Sequence, residues 1–431
     1  MIDSVLARWI AEKAATLGFD LCGIVSAQKF PELANTETWL ERGYAGEMNY
    51  LADPRRSDPQ LAMPGIRSVI VCALNYNTDL PRSTNLAAQA ADSGAPRGWI
   101  SRYAWGSDYH EVLREKLDQL LSELQNHCGE TFVGRTYADT GPLQERIVAK
   151  HAGLGWLGKN TLLLNQKIGS YFFLGTILTT LELEPSLAAN IAAPRDLCGS
   201  CRRCIEACPT DALLEPYVMD ARRCIAYLTI ELRGSIPEEF RVPIGNHVFG
   251  CDICQDVCPW NNRAPITASA EFAPRTFPST EEVRRSHRPE LELPDKTADQ
   301  LQENEPEKTL ENAEGEANEE LETRTHSLFR PDLLWLANLT QEEFSRLFRG
   351  SPLKRTKWRG LVRNACIALG NSSAPTDTAA VANVRDTLQR LANSPEIHIA
   401  ESAQWALARI QSKERQAESP DPLADGVGGL K

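Results

Sequence analysis

Apolar positions in the first 185 residues switch repeatedly between helical and strand spacing. Val5, Ile10, Ala14 and Leu17 recur at near-helical intervals, which predicts a helix within residues 1–20. Leu21–Ser26 and Ser68–Asn75 are short apolar runs of strand length. Leu113, Leu117, Leu120, Leu121 and Leu124 form one stripe, so Glu111–Leu124 reads as an amphipathic helix. Thr131–Ala138 reads as a strand ending at Asp139-Thr140-Gly141-Pro142. Leu143–His151 follows as a helix and Ser170–Thr180 as a buried strand, while polar Arg82–Pro96 reads as a surface loop. Strands interleaved with helices predict an α/β (α+β) core over residues 1–185.

The pattern changes twice further on. Residues 186–265 are rich in cysteine, and residues 266–327 read as a linker that carries an acidic, aromatic-poor insert expected to be disordered. From Leu328, helical periodicity returns. Val362, Ala365, Cys366 and Leu369 keep the i, i+3, i+4, i+7 rule, then Val381, Val384, Leu388 and Leu391, then Ala403, Ala406, Leu407 and Ile410. Consecutive amphipathic helices of this size predict a short α-helical domain of HEAT-like repeats over 328–412, with a flexible tail at 413–431.

Composition adds little to this picture except through charge. The chain has 431 residues, 42% hydrophobic and 24% charged, which excludes collagen-like, wholly disordered and small disulfide-scaffold classes. The apolar run Tyr171–Leu178 is far shorter than the roughly 20 residues of a membrane span, and Glu182 and Glu184 follow it. The N-terminal segment carries Asp3, Arg8 and Lys13 and lacks a signal-peptide pattern, so the expected location is the cytoplasm. The net charge is −12, yet thirteen acidic residues against two lysines lie between Glu290 and Glu322. The rest of the chain is nearly neutral, and its overall acidity does not exclude a nucleic-acid partner. The long apolar stripes find helix partners within the chain, which suggests a monomer.

Cysteine placement is the strongest chemical signal. Cys198-x2-Cys201-x2-Cys204-x3-Cys208-Pro209 has the bacterial ferredoxin spacing, in which three thiolates wrap one [4Fe–4S] cubane and the fourth ligates another. Cys251-x2-Cys254-x3-Cys258-Pro259 lacks one cysteine of a full motif, which Cys224 can supply. The assignment is Cys198, Cys201, Cys204 and Cys258 to one cluster, and Cys208, Cys224, Cys251 and Cys254 to the other. Four-cysteine zinc is the alternative, but a C-x2-C-x2-C array followed by x3-C-P is poor zinc geometry. Cys22, Cys72, Cys128 and Cys366 read as small buried hydrophobes.

Other candidates carry two readings each. Gly153-Leu154-Gly155-Trp156-Leu157-Gly158-Lys159-Asn160 matches G-x-G-x-x-G and part of a P-loop, but it follows a helix and has Asn160 where a P-loop needs Ser or Thr. Asp139 is either a turn residue or a carboxylic acid at a pocket rim, its pKa raised by burial. Asp108-Tyr109-His110 begins the cobalamin signature D-x-H-x-x-G, but Leu113 stands at the glycine, so His110 reads as structural or pocket-lining. Arg346, Arg349, Lys354, Arg355, Lys357, Arg359 and Arg363 lie in an acid-free stretch that is either a solvated face or a phosphate-binding surface.

Taken in order, these residues resemble the epoxyqueuosine reductase family. The matching elements are Arg102-Tyr103-x2-Gly106-x-Asp108-Tyr109-His110, Asp139-Thr140-Gly141-Pro142, and Ala152-Gly153-Leu154-Gly155-Trp156-x-Gly158-Lys159-Asn160. Gly169-Ser170-x2-Phe173-Leu174-Gly175, both cysteine runs, Phe249-Gly250-Cys251-Asp252, Cys258-Pro259-Trp260-Asn261 and Gly350-Ser351-Pro352-x2-Arg355 complete the set. Two features depart from the family pattern: Thr176 stands where an acidic residue is expected, and the acidic insert is long.

The resemblance implies reduction of epoxyqueuosine to queuosine at the wobble position of tRNA, the last step of queuosine formation. An external low-potential donor would feed two [4Fe–4S] clusters and, through them, base-off cobalamin cycling between cob(II)alamin and cob(I)alamin. Asp139 matches the family's proton donor. Implied cobalamin contacts are Arg56, Tyr103, Asp139, Gly158, Lys159, Asn160, Ser170, Gly250 and Asp252. Implied contacts to the anticodon stem-loop of a queuosine-family tRNA are Lys354, Arg355, Lys357, Arg359 and Arg363. A corrinoid reductase of the reductive-dehalogenase type and a ferredoxin-type electron carrier are the alternatives.

Overall fold

The computed structural model describes residues 4–85, 95–129, 131–187, 195–278, 326–372 and 378–418. The acidic segment 290–322 and most of the loop expected at Arg82–Pro96 lie outside the described residues.

The predicted strands form one four-stranded sheet. β1 (Leu21–Ser26), β2 (Ser68–Asn75), β3 (Gly134–Ala138) and β4 (Phe172–Thr179) run in the order β1-β2-β4-β3. Every neighbouring pair is antiparallel, so the core is of the α+β kind rather than a parallel βαβ array. Apolar periodicity specifies which residues are buried but carries no strand direction. β2 is buried at every position, because both faces of the sheet are covered. On one face Ile24, Ile70, Cys72, Leu74 and Ile177 pack with α1 (Ser4–Thr16) and the long helix introduced below as α3. On the other, Val25, Val69, Val71, Ala73 and Leu178 pack with Leu33, which opens α2 (Leu33–Glu41), and with Ile147, Val148 and Ala149.

The leucine stripe lies on α3 (Tyr109–Cys128). Leu113, Leu117, Leu120 and Leu124 are wholly buried, each contributing about 1.5–3 kcal/mol relative to exposure. Asp108 caps this helix by accepting from His110 N, and Gly129 ends it in the left-handed region at φ 63°. Ile147, Val148 and Ala149 belong to α4 (Glu145–His151), which begins just beyond Asp139.

The glycine-rich loop at 153–158 serves packing. A Cβ on Gly155 would meet the Leu164 carbonyl oxygen at 2.0 Å. The loop continues into an antiparallel ladder of Trp156–Leu157 with Leu163–Leu164, not into a phosphate-binding helix.

The C-terminal helices are α5 (Leu333–Ala337), α6 (Gln341–Leu347), α7 (Lys357–Asn371), α8 (Thr378–Ala392) and α9 (Ile397–Glu418). α7 packs between α5 and α9, and α8 lies against α9. This bundle and the α+β core form one compact unit comprising residues 1–275 and 328–431. Asn364 of α7 donates to Thr229 O and Val248 O, both at 2.8 Å, and Asn371 donates to Arg241 O at 2.7 Å and Gly245 O at 2.9 Å. Buried amides thus tie the bundle to the cysteine-bearing segment. α9 also runs past Ser412, where a flexible tail was expected. Lys413 Nζ donates to the carbonyls of Gly370, Asn371 and Ser372, the open acceptors at the end of α7. A second unit, 276–327, is described at its ends, where Thr276–Phe277 pairs antiparallel with His326–Ser327.

No helix among the described residues is long and apolar enough to cross a membrane.

Candidate cluster sites and active-site cleft

Two short helical turns present the cysteines. Arg203–Glu206 follows the first C-x2-C, and Ile253–Asp256 carries Cys254. Cys198, Cys201, Cys204 and Cys258 line one cavity together with Lys159, Asn160, Leu164 and Trp260. They are near enough to disfavour one another's ionisation, and burial first and then these neighbours push Cys204 up to about 11. Cys224 and Cys208 adjoin, and Cys251 and Cys254 neighbour Cys224. Burial pushes the thiols of Cys251 and Cys254 well above the ordinary range. Cys254 also feels Cys204, so the two quartets are adjacent. The structure therefore gathers the eight cysteines into the two sets read from spacing, and none of them is in a disulfide.

These surroundings fit iron–sulfur clusters. The buried Trp156 Nε1 has no partner of its own, and its N–H favours the ionised form of Cys198. An N–H aimed at a ligating sulfur is a standard way to stabilise a cluster. Lys159 Nζ donates to Gly199 O at 2.5 Å and Cys201 O at 2.9 Å, and Asn160 Nδ2 to Cys254 O at 3.3 Å. Lys159 and Asn160, expected at the cofactor, thus pin both cluster loops.

The second centre is a cleft around Asp139. This residue follows the last residue of β3 and adopts φ 58°. Its N–H donates to Glu145 Oε1 at 2.9 Å, which turns the chain into α4. Its Oδ2 accepts from Tyr109 OH at 2.8 Å and lies 3.5 Å from His110 Nε2, while His110 Nδ1 lies 2.7 Å from Asp108 Oδ1. The Asp139 side chain is 63% exposed, yet protein surrounds it closely enough that burial is the largest single influence on its charge. The side chain is thus open to solvent and flanked by Tyr109, His110 and Glu145. Burial favours its neutral form, but donation by His110 and Tyr109 prevails and holds the carboxyl below its ordinary value. The expectation that burial would raise it is therefore corrected. The proton sits on His110: burial opposes its charge, the two carboxylates outweigh burial, and its pKa rises to about 9. Glu145 goes the other way: burial and then Asp139 push its carboxyl well above the ordinary range.

Aromatic rings complete the cleft. Tyr109 stacks on Phe173 at 4.3 Å, and Tyr103 lies 6.0 Å from both Tyr109 and Phe249. Burial, and secondarily Asp139, keep the Tyr103 and Tyr109 hydroxyls protonated far above neutrality. Tyr50 carries guanidinium groups at 5.7 Å from Arg56 and 5.4 Å from Arg355, and Arg355 pairs with Glu231 through two bonds of 2.9 Å.

Several expected site residues are engaged by bonds or packing within the protein. Asp252 is wholly buried and accepts from Ser101 Oγ at 2.5 Å, Arg102 N at 2.8 Å and Trp99 Nε1 at 3.3 Å. Ser170 donates to Gln255 Oε1 and accepts from Asn261 Nδ2. Gly250, at φ 70°, has Ser101 Cβ 2.6 Å from where its own Cβ would lie, so backbone alone fits this turn between Phe249 and Cys251. Thr176 is buried within β4, and its hydroxyl has no partner. Arg363, expected to meet RNA, is 1% exposed. It donates to Leu228 O at 2.7 Å, Leu232 O at 2.9 Å, Gly234 O and Asn364 Oδ1. Its side chain points inward from α7, so it holds the cluster segment in place of a phosphate. Lys354, Arg355, Lys357 and Arg359 are exposed, with Arg359 paired to Glu396 at 2.7 Å.

A double-cluster module beside a cleft lined by acid–base groups defines an iron–sulfur oxidoreductase. The 4Fe-4S double cluster binding domain model matches residues 197–261, and the epoxyqueuosine reductase QueG model matches residues 56–140. The epoxyqueuosine reductase of Pseudomonas aeruginosa is 36% identical over 406 residues, 94% of each chain. That of Escherichia coli is 35% identical over 375 residues, covering 86% of this chain and 82% of the relative. A crystal structure of epoxyqueuosine reductase with an epoxyqueuosine-modified tRNA-Tyr stem loop superposes with a TM-score of 0.71 at 28% identity, covering 97% of this chain and 95% of the other. The Bacillus subtilis structure with its catalytic aspartate loop swung out of the active site gives 0.69 at 28% identity, covering 97% and 95%. The chain belongs to the epoxyqueuosine reductase family.

Proposed function

We propose that this protein reduces epoxyqueuosine in tRNA to queuosine, with electrons passing through two [4Fe–4S] clusters to cobalamin held in the Asp139 cleft. The observation that carries the reading is the position of the proton-bearing His110–Asp139 pair in a cleft that adjoins the cysteine quartet at Cys251 through Phe249 and Gly250. When bound, cobalamin supplies the electron-rich metal centre that hands reducing equivalents to the epoxide carbon. Both nitrogens of His110 already face carboxylates, so this residue would serve the proton path and not as a ligand to the cofactor's metal.

Loss of the epoxide oxygen as water takes two electrons and two protons. Asp139 presents its Oδ2 to the cleft and is the proton donor in this reading, with His110 replenishing it and Tyr109 fixing its orientation. Proton delivery by a positioned group typically contributes 10²–10⁴-fold. Arg56, Tyr50 and Tyr103 form the aromatic and cationic wall for cofactor and base. The α5–α9 helices serve as a HEAT-like docking layer for the anticodon stem-loop, using exposed Lys354, Arg355, Lys357 and Arg359. The domain scheme is a core over 1–185, a cluster module over 186–265 and this helical layer.

The test is anaerobic reconstitution with iron, sulfide and cobalamin, followed by mass analysis of epoxyqueuosine-containing tRNA. Conversion to queuosine is expected. Reconstituted protein that leaves the epoxide intact under reductant refutes the reading.

A further inference from the structure

The two cysteine quartets are not equivalent in position. Cys224 and Cys251 pack against a buried apolar cluster of Ala221, Ile225, Tyr227, Leu228, Ile236 and Ile244. This quartet is also next to the cleft, since Gly250 joins Cys251 to Phe249, which faces Tyr103. Cys198 and Cys258 rest on a much smaller set, Trp156, Leu164 and Trp260. The cavity they line reaches the surface, where Leu197, Arg203 and Pro259 form its rim. Electrons from outside therefore meet the Cys198 quartet first and the Cys251 quartet second.

We propose that the surface over the Cys198 quartet is the docking face for an acidic one-electron carrier protein. Arg202 and Arg203 lie between Cys201 and Cys204, both exposed. Arg195 and Arg263 flank the two cysteine runs and are exposed too. None of these four guanidinium groups has a carboxylate partner among the described residues, whereas Arg222, Arg223, Arg355 and Arg359 all do. Asp196 and Glu206 are the acids nearest in sequence. Asp196 accepts from the Tyr217 hydroxyl and from Cys198 N, bonds that keep it ionised, so the face carries four arginines against the carboxylates of Asp196 and Glu206. The apolar part is Leu197, 42% exposed, joined by Tyr217, whose N–H donates to Lys159 O at 3.2 Å. An apolar centre accompanied by arginines without carboxylate partners orients an acidic partner to this spot. The arithmetic of the reaction suits such a partner. Each reduced carrier loses one electron, the outer [4Fe–4S]²⁺ cluster gains it to become [4Fe–4S]⁺, and two encounters supply the two electrons used per epoxide.

The proposal rests on the double-cluster assignment and not on the identity of the substrate. Its test uses the reconstituted holoprotein in stopped flow, read on cluster absorbance, with reduced flavodoxin as the acidic carrier and dithionite as a small reductant. Arg202→Glu/Arg203→Glu and the milder Arg202→Gln/Arg203→Gln are compared with the parent at matched iron content. The flavodoxin rate divided by the dithionite rate is expected to fall about tenfold or more for the Glu pair and less for the Gln pair. In the parent it also falls as salt rises. A ratio unchanged in both variants, or one that rises, overturns the docking face. Because no epoxide turnover enters the readout, failure here is separate from failure of the proposed reaction.

Discussion

Replacing His110 with Gln tests whether the proton used at Asp139 is stored on the imidazole. His110 stands 2.7 Å from Asp108 and 3.5 Å from Asp139. These carboxylates lift its pKa from 6.5 to about 9, which corresponds to about 3 kcal/mol of preference for the charged form as an upper figure. The folded value lies above the unfolded one. The stabilisation is therefore complete below pH 6.5 and lost as pH rises through about 9. Single-turnover reduction of an epoxyqueuosine stem-loop by the parent should hold to pH 8 and decline near 9. Gln keeps a polar side chain of similar reach but carries no transferable proton. The variant should lose about 10²-fold at pH 7.5, the lower end of what proton transfer contributes, and the decline near pH 9 should vanish. Iron content, cobalamin uptake and stem-loop affinity should stay near parental values. A variant with the parental rate and the parental high-pH limb would remove His110 from the proton path.

Other substitutions separate chemistry from scaffold. Asp139→Asn should retain both clusters and bound cobalamin by absorbance while epoxide reduction falls at least about 10²-fold. Cys258→Ala should cost the outer cluster and about half of the bound iron, read by iron assay and by electron paramagnetic resonance of the reduced protein. Lys354→Glu/Lys357→Glu should weaken binding of an epoxyqueuosine-modified stem-loop and lower the slope of affinity against salt by about two, measured by fluorescence anisotropy. Arg363→Met should leave that slope unchanged but destabilise the fold by about 3 kcal/mol, since three carbonyls lose a charged donor, seen as an earlier midpoint in thermal unfolding.

Much of the core was legible because its physics is local. β1 and β2 begin and end where their apolar runs do, since a strand covered on both faces needs an unbroken run. α3 starts two residues before the stripe suggested, at Tyr109. Asp108-Tyr109-His110 drew notice as a fragment of a cofactor motif, when its first task is to cap a helix. The antiparallel order was not legible, because strand direction depends on how the connections return across the sheet. The cysteine-rich module was legible because its x2 and x3 steps are the spacing of a double-cluster domain, which the family match over 197–261 bears out.

Charged residues were the weak point, and Arg363 shows why. In sequence it completes a basic, acid-free stretch, and nothing nearby marks it as different from Arg359. Helical phase does not separate them either, since 359 and 363 lie one turn apart on the same face; what differs is depth, for Arg359 stands exposed near the start of α7 while every residue from Gly360 to Gly370 is buried. There the π-helical turn Tyr227–Glu231 and the segment after it present carbonyls that no backbone N–H satisfies, and a guanidinium with five donors meets them. Asp252 follows the same logic, accepting from three donors beside Cys251. In both cases a buried charge fixes a loop next to a cluster ligand. An exposed lysine such as Lys354 has no such partners. Residue type alone therefore overcounts ligand contacts near a cluster, because a charged side chain that satisfies buried carbonyls or donors looks the same in sequence as one that faces a ligand.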